Sequence, residues 1–257
     1  MYSSGPSSPY PAPAQQRRSI IGPPGERPVI TFSLLGITIG VFLLQMIGTV
    51  LSPNSYGVDP VALWGMKINE YIIQGQFWRL VTPMFLHGSI LHLGFNMYAL
   101  FVLGPGLERY YGRWRFLMLY LLSGFAGNVF SFLFTAAPSL GSSTAIFGLL
   151  GAQGIFLYRN RDLFGPAAQR ALINVVVIAL INLMIGLSPG IDNWGHLGGL
   201  IGGTLFAWFG GPVLQVWGMY PSVQVVDERD PRASLWVGLG VGFLFVVIAV
   251  AAILFRM

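Results

Sequence analysis

What most constrains this chain is a succession of long apolar stretches that contain no Asp, Glu, Lys or Arg, at 28–51, 80–107, 116–158, 171–191, 193–226 and 233–255. A hydrocarbon core of ~30 Å asks for ~20 consecutive apolar residues, and a helix satisfies every backbone polar group within its own segment. Charged residues make up 9% of the chain, well below the ~25% of ordinary soluble domains, which excludes that class. The stretch 116–158 is too long for one span. It is divided by Ala136, Ala137, Pro138, Ser139, Leu140 and Gly141, turn chemistry that neither half absorbs. The sequence therefore predicts an all-α membrane protein, a polytopic bundle of seven helices over about 29–50, 88–106, 115–136, 142–158, 169–187, 193–211 and 234–255.

Residues 1–27 are rich in Pro and Ser, without apolar periodicity, and read as a disordered tail. The first apolar run is too long for the core of a signal peptide and lacks a small-residue cleavage site, so it reads as an anchor. With the tail in the cytoplasm, the inside loops hold 11 of the 14 basic residues, leaving Lys67, Arg79 and Arg256 outside. The positive-inside rule favours that orientation, which puts the C-terminus outside. The net charge of +5 then reflects basic loops rather than a nucleic-acid partner. The division expected is a cytoplasmic tail at 1–27, a six-helix core at 28–215, a cytoplasmic linker at 216–233 and a seventh helix at 234–257. The first outer segment, about 52–87, carries Trp64, Tyr71, Phe77 and Trp78 and is expected to lie in the interface.

Polar side chains within apolar spans are costly and mark function. His92 and Asn96, four apart, share one face of the second helix; Ser143 opens the fourth; His196 lies near the start of the sixth. All three helices run from outside to inside in the expected topology, which puts these groups within the first two turns, ~10 Å deep. The fourth helix spans only ~25 Å, so its start is expected to be recessed in a wetted cavity. A serine at a helix start is ordinarily an N-cap, and a lone intramembrane histidine ordinarily bonds to a neighbouring helix. Their meeting at one depth points instead to acyl transfer, which needs a nucleophile, a base and oxyanion donors. There is no cysteine and no HExxH motif, and His87 and His92 are too far around a helix to share a ligand face, so no metal and no cofactor are expected.

These residues resemble the rhomboid intramembrane serine proteases over about 30–215. The resemblance rests on Trp78 and Arg79, HGSILHLGFNM from His87 to Met97, Glu108 with Gly112, GSSTAIFG from Gly141 to Gly148, and HLGGLIGG from His196 to Gly203. It implies a rhomboid-like six-helix core plus one extra C-terminal transmembrane helix. It also implies Ser143 as nucleophile, His196 as its general base, and an oxyanion site formed by His92, Asn96 and the Ser143 N–H. His87, Trp78 and Arg79 would support the outer loop, and Phe147 would pack on His196. Gly199 and Gly203 would let the sixth helix approach the fourth. Ser142 and Thr144 stand where the family commonly has alanine and glycine; of the two adjacent serines Ser143 is the expected nucleophile, because the Gly-x-Ser order and the Phe147, Gly148 register agree on it, and Thr144 bears on the shape of the pocket.

The function expected is cleavage of transmembrane protein substrates near the outer surface, in the prokaryotic cell membrane, with lipids as the other partners. The alternative is a catalytically silent, rhomboid-like client-binding protein, in which the serine or histidine is typically missing. A transporter would place charged or broken-helix sites near the midplane. Asp192, four residues before His196, is expected to be a solvated or capping carboxylate rather than the third member of a triad. The fifth helix, without ionisable groups in its core and with the β-branched run Val175 to Ile178, is the expected lateral gate.

Overall fold

The structure, a computed structural model, describes residues 19–20, 27–52, 59–218 and 223–257. Apart from Ser19–Ile20 and Arg27, the expected disordered tail lies outside the described residues. In chain order the helices are α1 (Val29–Leu51), the short α2 (Pro60–Gly65) and α3 (Asn69–Ile73), α4 (Ile90–Tyr111), α5 (Arg113–Phe134), α6 (Ser143–Arg159), the single turn α7 (Arg161–Phe164), α8 (Pro166–Ile185), α9 (Asn193–Gly210) and α10 (Pro231–Arg256). The seven long ones match the seven apolar runs. Five of them are long and apolar enough to cross a membrane on those criteria alone. The other two are α6 and α9, with 17 and 18 residues. These are the innermost pair, and helices shielded by neighbours have less need of an apolar surface all round.

The centre is a trio of α5, α6 and α9, closed by Phe116, Leu119, Tyr120, Ala145, Leu149 and Phe206, all fully buried. Association of helices in lipid draws little from the hydrophobic effect, because lipid tails are as apolar as leucine; close van der Waals packing supplies the attraction. Glycine makes that approach possible. A Cβ on Gly199 would collide with the Thr144 carbonyl, and one on Gly203 with the Gly148 backbone. The extra helix α10 packs on α5 and α9 through Val241, Phe245 and Ala249.

On the other side α1 packs against α4. The N-terminal amides of α1 lack a side-chain cap of their own, and Glu108 supplies one from α4: its carboxylate accepts from Ile30 N at 2.8 Å, Thr31 N at 2.7 Å and Thr31 Oγ1 at 2.8 Å. A carboxylate at a helix N-terminus is favoured by the unpaired N–H groups there. Helix α4 runs through Pro105 to Tyr111, past the expected end near 106, and stops at Gly112 with φ +75°. The extension is what presents Glu108 to α1.

The segment between α9 and α10 holds a feature with no counterpart in the sequence reading. Strands β2 (Leu214–Trp217) and β3 (Gln224–Asp227) form an antiparallel hairpin, and Ser19–Ile20, here β1, adds to its other edge in the order β1-β3-β2. Buried Asp227 pins it by bonding Arg115 at 2.5 Å and accepting from Val213 N and Arg229 N.

Candidate active site

Ser143 and His196, 53 residues apart, meet because α6 and α9 start at the same end and cross at glycines. His196 Nε2 lies 2.9 Å from Ser143 Oγ. The imidazole is buried and stacks on Phe147, one turn along α6, with ring centroids 4.3 Å apart and planes at 12°. That contact restricts rotation of the ring about its own bonds and keeps Nε2 facing the serine. No hydrogen-bond partner meets His196 Nδ1 among the described residues. The pair is a dyad, and Asp192 is occupied elsewhere: its Oδ1 accepts from Gly195 N at 3.0 Å and Thr135 Oγ1 at 2.8 Å, so it caps α9. Burial alone would raise the Asp192 carboxyl, but the Ser131, Thr135 and Ser139 hydroxyls and the Gly195 N–H together hold it below the usual carboxylate range.

The two adjacent serines are separated by what they touch. Ser142 is fully buried and its Oγ lies 3.2 Å from His87 Nε2, whereas half-buried Ser143 faces His196. His87 also meets His92 edge-on, with centroids 5.1 Å apart. Burial, and then the neighbouring His92 charge, push the His87 imidazole down to about 4, which makes it a neutral hydrogen-bonding group near pH 7. Thr144 turns its side chain away from Ser143, against Gly127 and Gly195, where a Cβ on either glycine would crowd it. Two missing side chains accommodate the branched residue.

His92 stands on the α4 face beside Ser143, and Asn96 follows it one turn along that face. Gly141, with φ +135°, brings the chain into α6 so close to His92 that an added Cβ would lie 2.9 Å from its Nε2 and 3.7 Å from Ser143 Oγ. No L-residue adopts that backbone readily. Asn96 is buried and donates one amide hydrogen to His92 O at 2.9 Å, leaving its other N–H for a ligand. The Ser143 N–H is among the first amides of α6, which have no partner within the helix. Of these donors, the Ser143 N–H and the His92 ring lie beside Ser143 Oγ, and Asn96 stands one turn further along the α4 face that carries His92.

Trp78 and Arg79 sit away from the dyad and build the outer segment. Trp78 stacks on Trp64 and donates to its carbonyl, and buried Arg79 bonds the carbonyls of Leu63 and Met66 at 2.8 and 2.7 Å. Sequence reasoning passed over one residue here, Lys67, which it counted only as an outside charge. Lys67 is fully buried beneath the loop that leads to Ser143. The available signal was that it is the only lysine among the 14 basic residues.

Comparison with known proteins bears on this site. A family model described as Rhomboid domain matches residues 74–213, which include every polar group named around the dyad except Lys67. The chain is 39% identical over 220 residues to rhomboid protease GluP of Bacillus subtilis, covering 85% of this chain and 40% of GluP. It is 32% identical over 201 residues to rhomboid protease AarA of Providencia stuartii, covering 69% of this chain and 71% of AarA. Putative rhomboid protease YdcA of Bacillus subtilis is 34% identical over 171 residues, with 65% and 85% covered. The chain thus spans well under half of GluP and most of the other two.

Proposed function

This chain belongs to the rhomboid family, and from that membership and the site geometry we propose that it is an intramembrane serine endopeptidase acting on transmembrane proteins. The observation that carries the reading is the 2.9 Å approach of His196 Nε2 to Ser143 Oγ beneath a stacked Phe147. Ser143 Oγ adds to the scissile carbonyl carbon as His196 Nε2 takes the hydroxyl proton. The oxyanion is met by the Ser143 N–H, the His92 ring and the free amide N–H of Asn96. His196 then passes the proton to the leaving amine as the C–N bond breaks, leaving an ester on Ser143. A water molecule, deprotonated by the same nitrogen, attacks the ester; collapse returns the proton to Ser143 Oγ and frees the new carboxyl end.

Entry fits the side between α4 and α8. These helices are not a closely packed pair, and α8 buries only Ala168 and Val175, both in its first half. Its outer half, from Val176 on, is exposed or half-buried. A membrane-spanning substrate would enter by displacing that half and would have to unwind locally, because the amides of an intact helix are shielded by their own hydrogen bonds. The excess of Arg in the loops expected inside supports a cytoplasmic N-terminus, with cleavage near the outer face of a prokaryotic cell membrane. A catalytically silent client-binder is disfavoured by the paired serine and histidine. The test is labelling with a fluorophosphonate probe in detergent, with the modified residue mapped by mass spectrometry. Labelling at Ser143, lost in Ser143→Ala and in His196→Ala, is the expected result; labelling at Ser142, or none, overturns the proposal.

A further inference from the structure

Lys67 has no exposed surface, although the chain places arginine at every other basic position. Its amine donates to Thr135 O and Ala137 O, both at 2.7 Å, with Ser131 O at 3.5 Å. Its backbone pairs in both directions with Ser139, four residues before Ser143: Lys67 N to Ser139 O at 2.9 Å and Ser139 N to Lys67 O at 3.1 Å. Thr135, held by Lys67 through its carbonyl and by Asn69 Nδ2 at 3.1 Å, donates its hydroxyl to Asp192 Oδ1 at 2.8 Å. Asp192 caps α9 through Gly195 N, and its carbonyl accepts from His196 N at 3.1 Å. One short chain of bonds therefore joins Lys67 to both arms of the site.

We propose that Lys67 is a positioning residue for hydrolysis: it holds the 135–139 segment that delivers Ser143 and, through Thr135 and Asp192, sets the start of the helix that carries His196. A cation suits this place because the last carbonyls of α5 converge there and helix C-termini favour positive charge. A compact ammonium can donate along separate directions to oxygens that a flat guanidinium would need more room to reach. The charges facing it are Asp192 from the start of α9, Glu70 from α3 and Arg256 from the end of α10. Arg256 binds the same helix end on its exposed side, through Leu133 O at 2.7 Å, and among the described residues it makes no hydrogen bond to either catalytic arm. Burial pushes the Lys67 amine down to about 8, against the attraction of Asp192, so its charge is lost as the pH rises through that value. A neutral amine makes weaker bonds to carbonyls than an ammonium does.

This inference rests on the hydrolytic reading, so the readout is the rate constant for fluorophosphonate labelling of Ser143, which does not depend on the fraction of enzyme that is folded. Failure of the wild-type protein to label at Ser143 defeats the hydrolytic reading itself. Given wild-type labelling, Lys67→Met is expected to lower the rate constant and kcat on the order of a hundredfold, the scale of a ~1 Å misplacement, with KM little changed. Arg256→Met removes a cation from the same helix end and is expected to leave both near wild type. The wild-type rate should fall severalfold as the pH rises through about 8. That limb should move to lower pH in Asp192→Asn, which removes the attraction that keeps Lys67 protonated, and vanish in Lys67→Met. A loss of thermal stability in Lys67→Met with an unchanged rate constant would overturn the proposal, and so would equal losses in Lys67→Met and Arg256→Met. The same alkaline limb in Lys67→Met would assign the titration to another group and overturn the role of its charge.

Discussion

Two parts of this molecule are built on opposite packing rules. In the α5–α6–α9 trio, glycines bring backbones into direct contact: Gly127, Gly148, Gly199 and Gly203 all lack room for a methyl group. Around α8 the packing is loose. This helix meets α6 where Leu172 and Val175 lie over Gly154, and an open apolar groove of about 480 Å³, lined by Leu150, Gly154, Val175, Ala179, Leu183 and Thr204, runs between it and the α6–α9 pair. The tight region holds Ser143 against His196, and interiors packed that closely have discrete arrangements rather than continuous give. The loose region lies beside it, and in the proposed function it is the part that a substrate displaces. The proposed function calls for both, because chemistry requires fixed distances and entry of a helix requires displacement.

The largest effect that could break this comparison lies in the tight region. Ser143→Ala or His196→Ala is expected to lower cleavage of a model membrane substrate on the order of 10⁴-fold or more, with the double variant scarcely worse, since groups acting as one unit are non-additive. Measurable turnover in Ser143→Ala that disappears in Ser142→Ala would reverse the assignment. Next comes Asn96→Ala, expected to cost 10²- to 10³-fold in kcat, about 3 kcal/mol, as for removal of one oxyanion donor. A loss equal to that of Ser143→Ala would mean that Asn96 does more than donate.

Gate and core can then be separated directly. In this cysteine-free chain, a disulfide placed between the outer halves of α4 and α8 is expected to remove most cleavage of a transmembrane substrate while labelling of Ser143 by a small fluorophosphonate persists. Full cleavage in the crosslinked protein would exclude the lateral route. Stability offers a matched pair of smaller effects. Gly199→Ala forces a methyl group into the Thr144 carbonyl and is expected to destabilise the protein by about 1–3 kcal/mol, measured by denaturation in detergent, with activity falling in parallel. Val176→Leu, on the exposed face of α8, is expected to change stability by no more than about 0.5 kcal/mol. Similar costs at the two sites would remove the contrast between tight and loose regions.

Much of this was written in the sequence because its physics is local. Charge-free runs of sufficient length dictate helices in lipid whatever packs beside them, so all seven long helices fall where the apolar stretches do. The spacing of His92 and Asn96 likewise fixes a shared face without any tertiary information, and Asp192 stands in capping position by its order in the chain alone. Other features depend on how helices cross. The residue order and the Phe147 register favour Ser143 over Ser142, but that Ser143 meets His196 while Ser142 turns to His87 depends on a rotation of ~100° about the α6 axis that only the helix crossing sets. Thr144 is accommodated because Gly127 and Gly195, distant in sequence, lie beside it. The extension of α4 past Pro105 follows from Glu108 reaching the amides of α1, a contact across 77 residues. Lys67 is the clearest case: hydropathy reads a lysine in an outer loop as a solvated charge, and only the convergence of three chain segments shows the carbonyls that draw it inside. The sequence by itself determined which segments form long apolar helices and which polar side chains stand among them, since burial in lipid selects on composition. The tertiary structure alone decided which of those side chains touch, since hydrogen bonds between remote residues are set by helix crossings at the scale of an ångström.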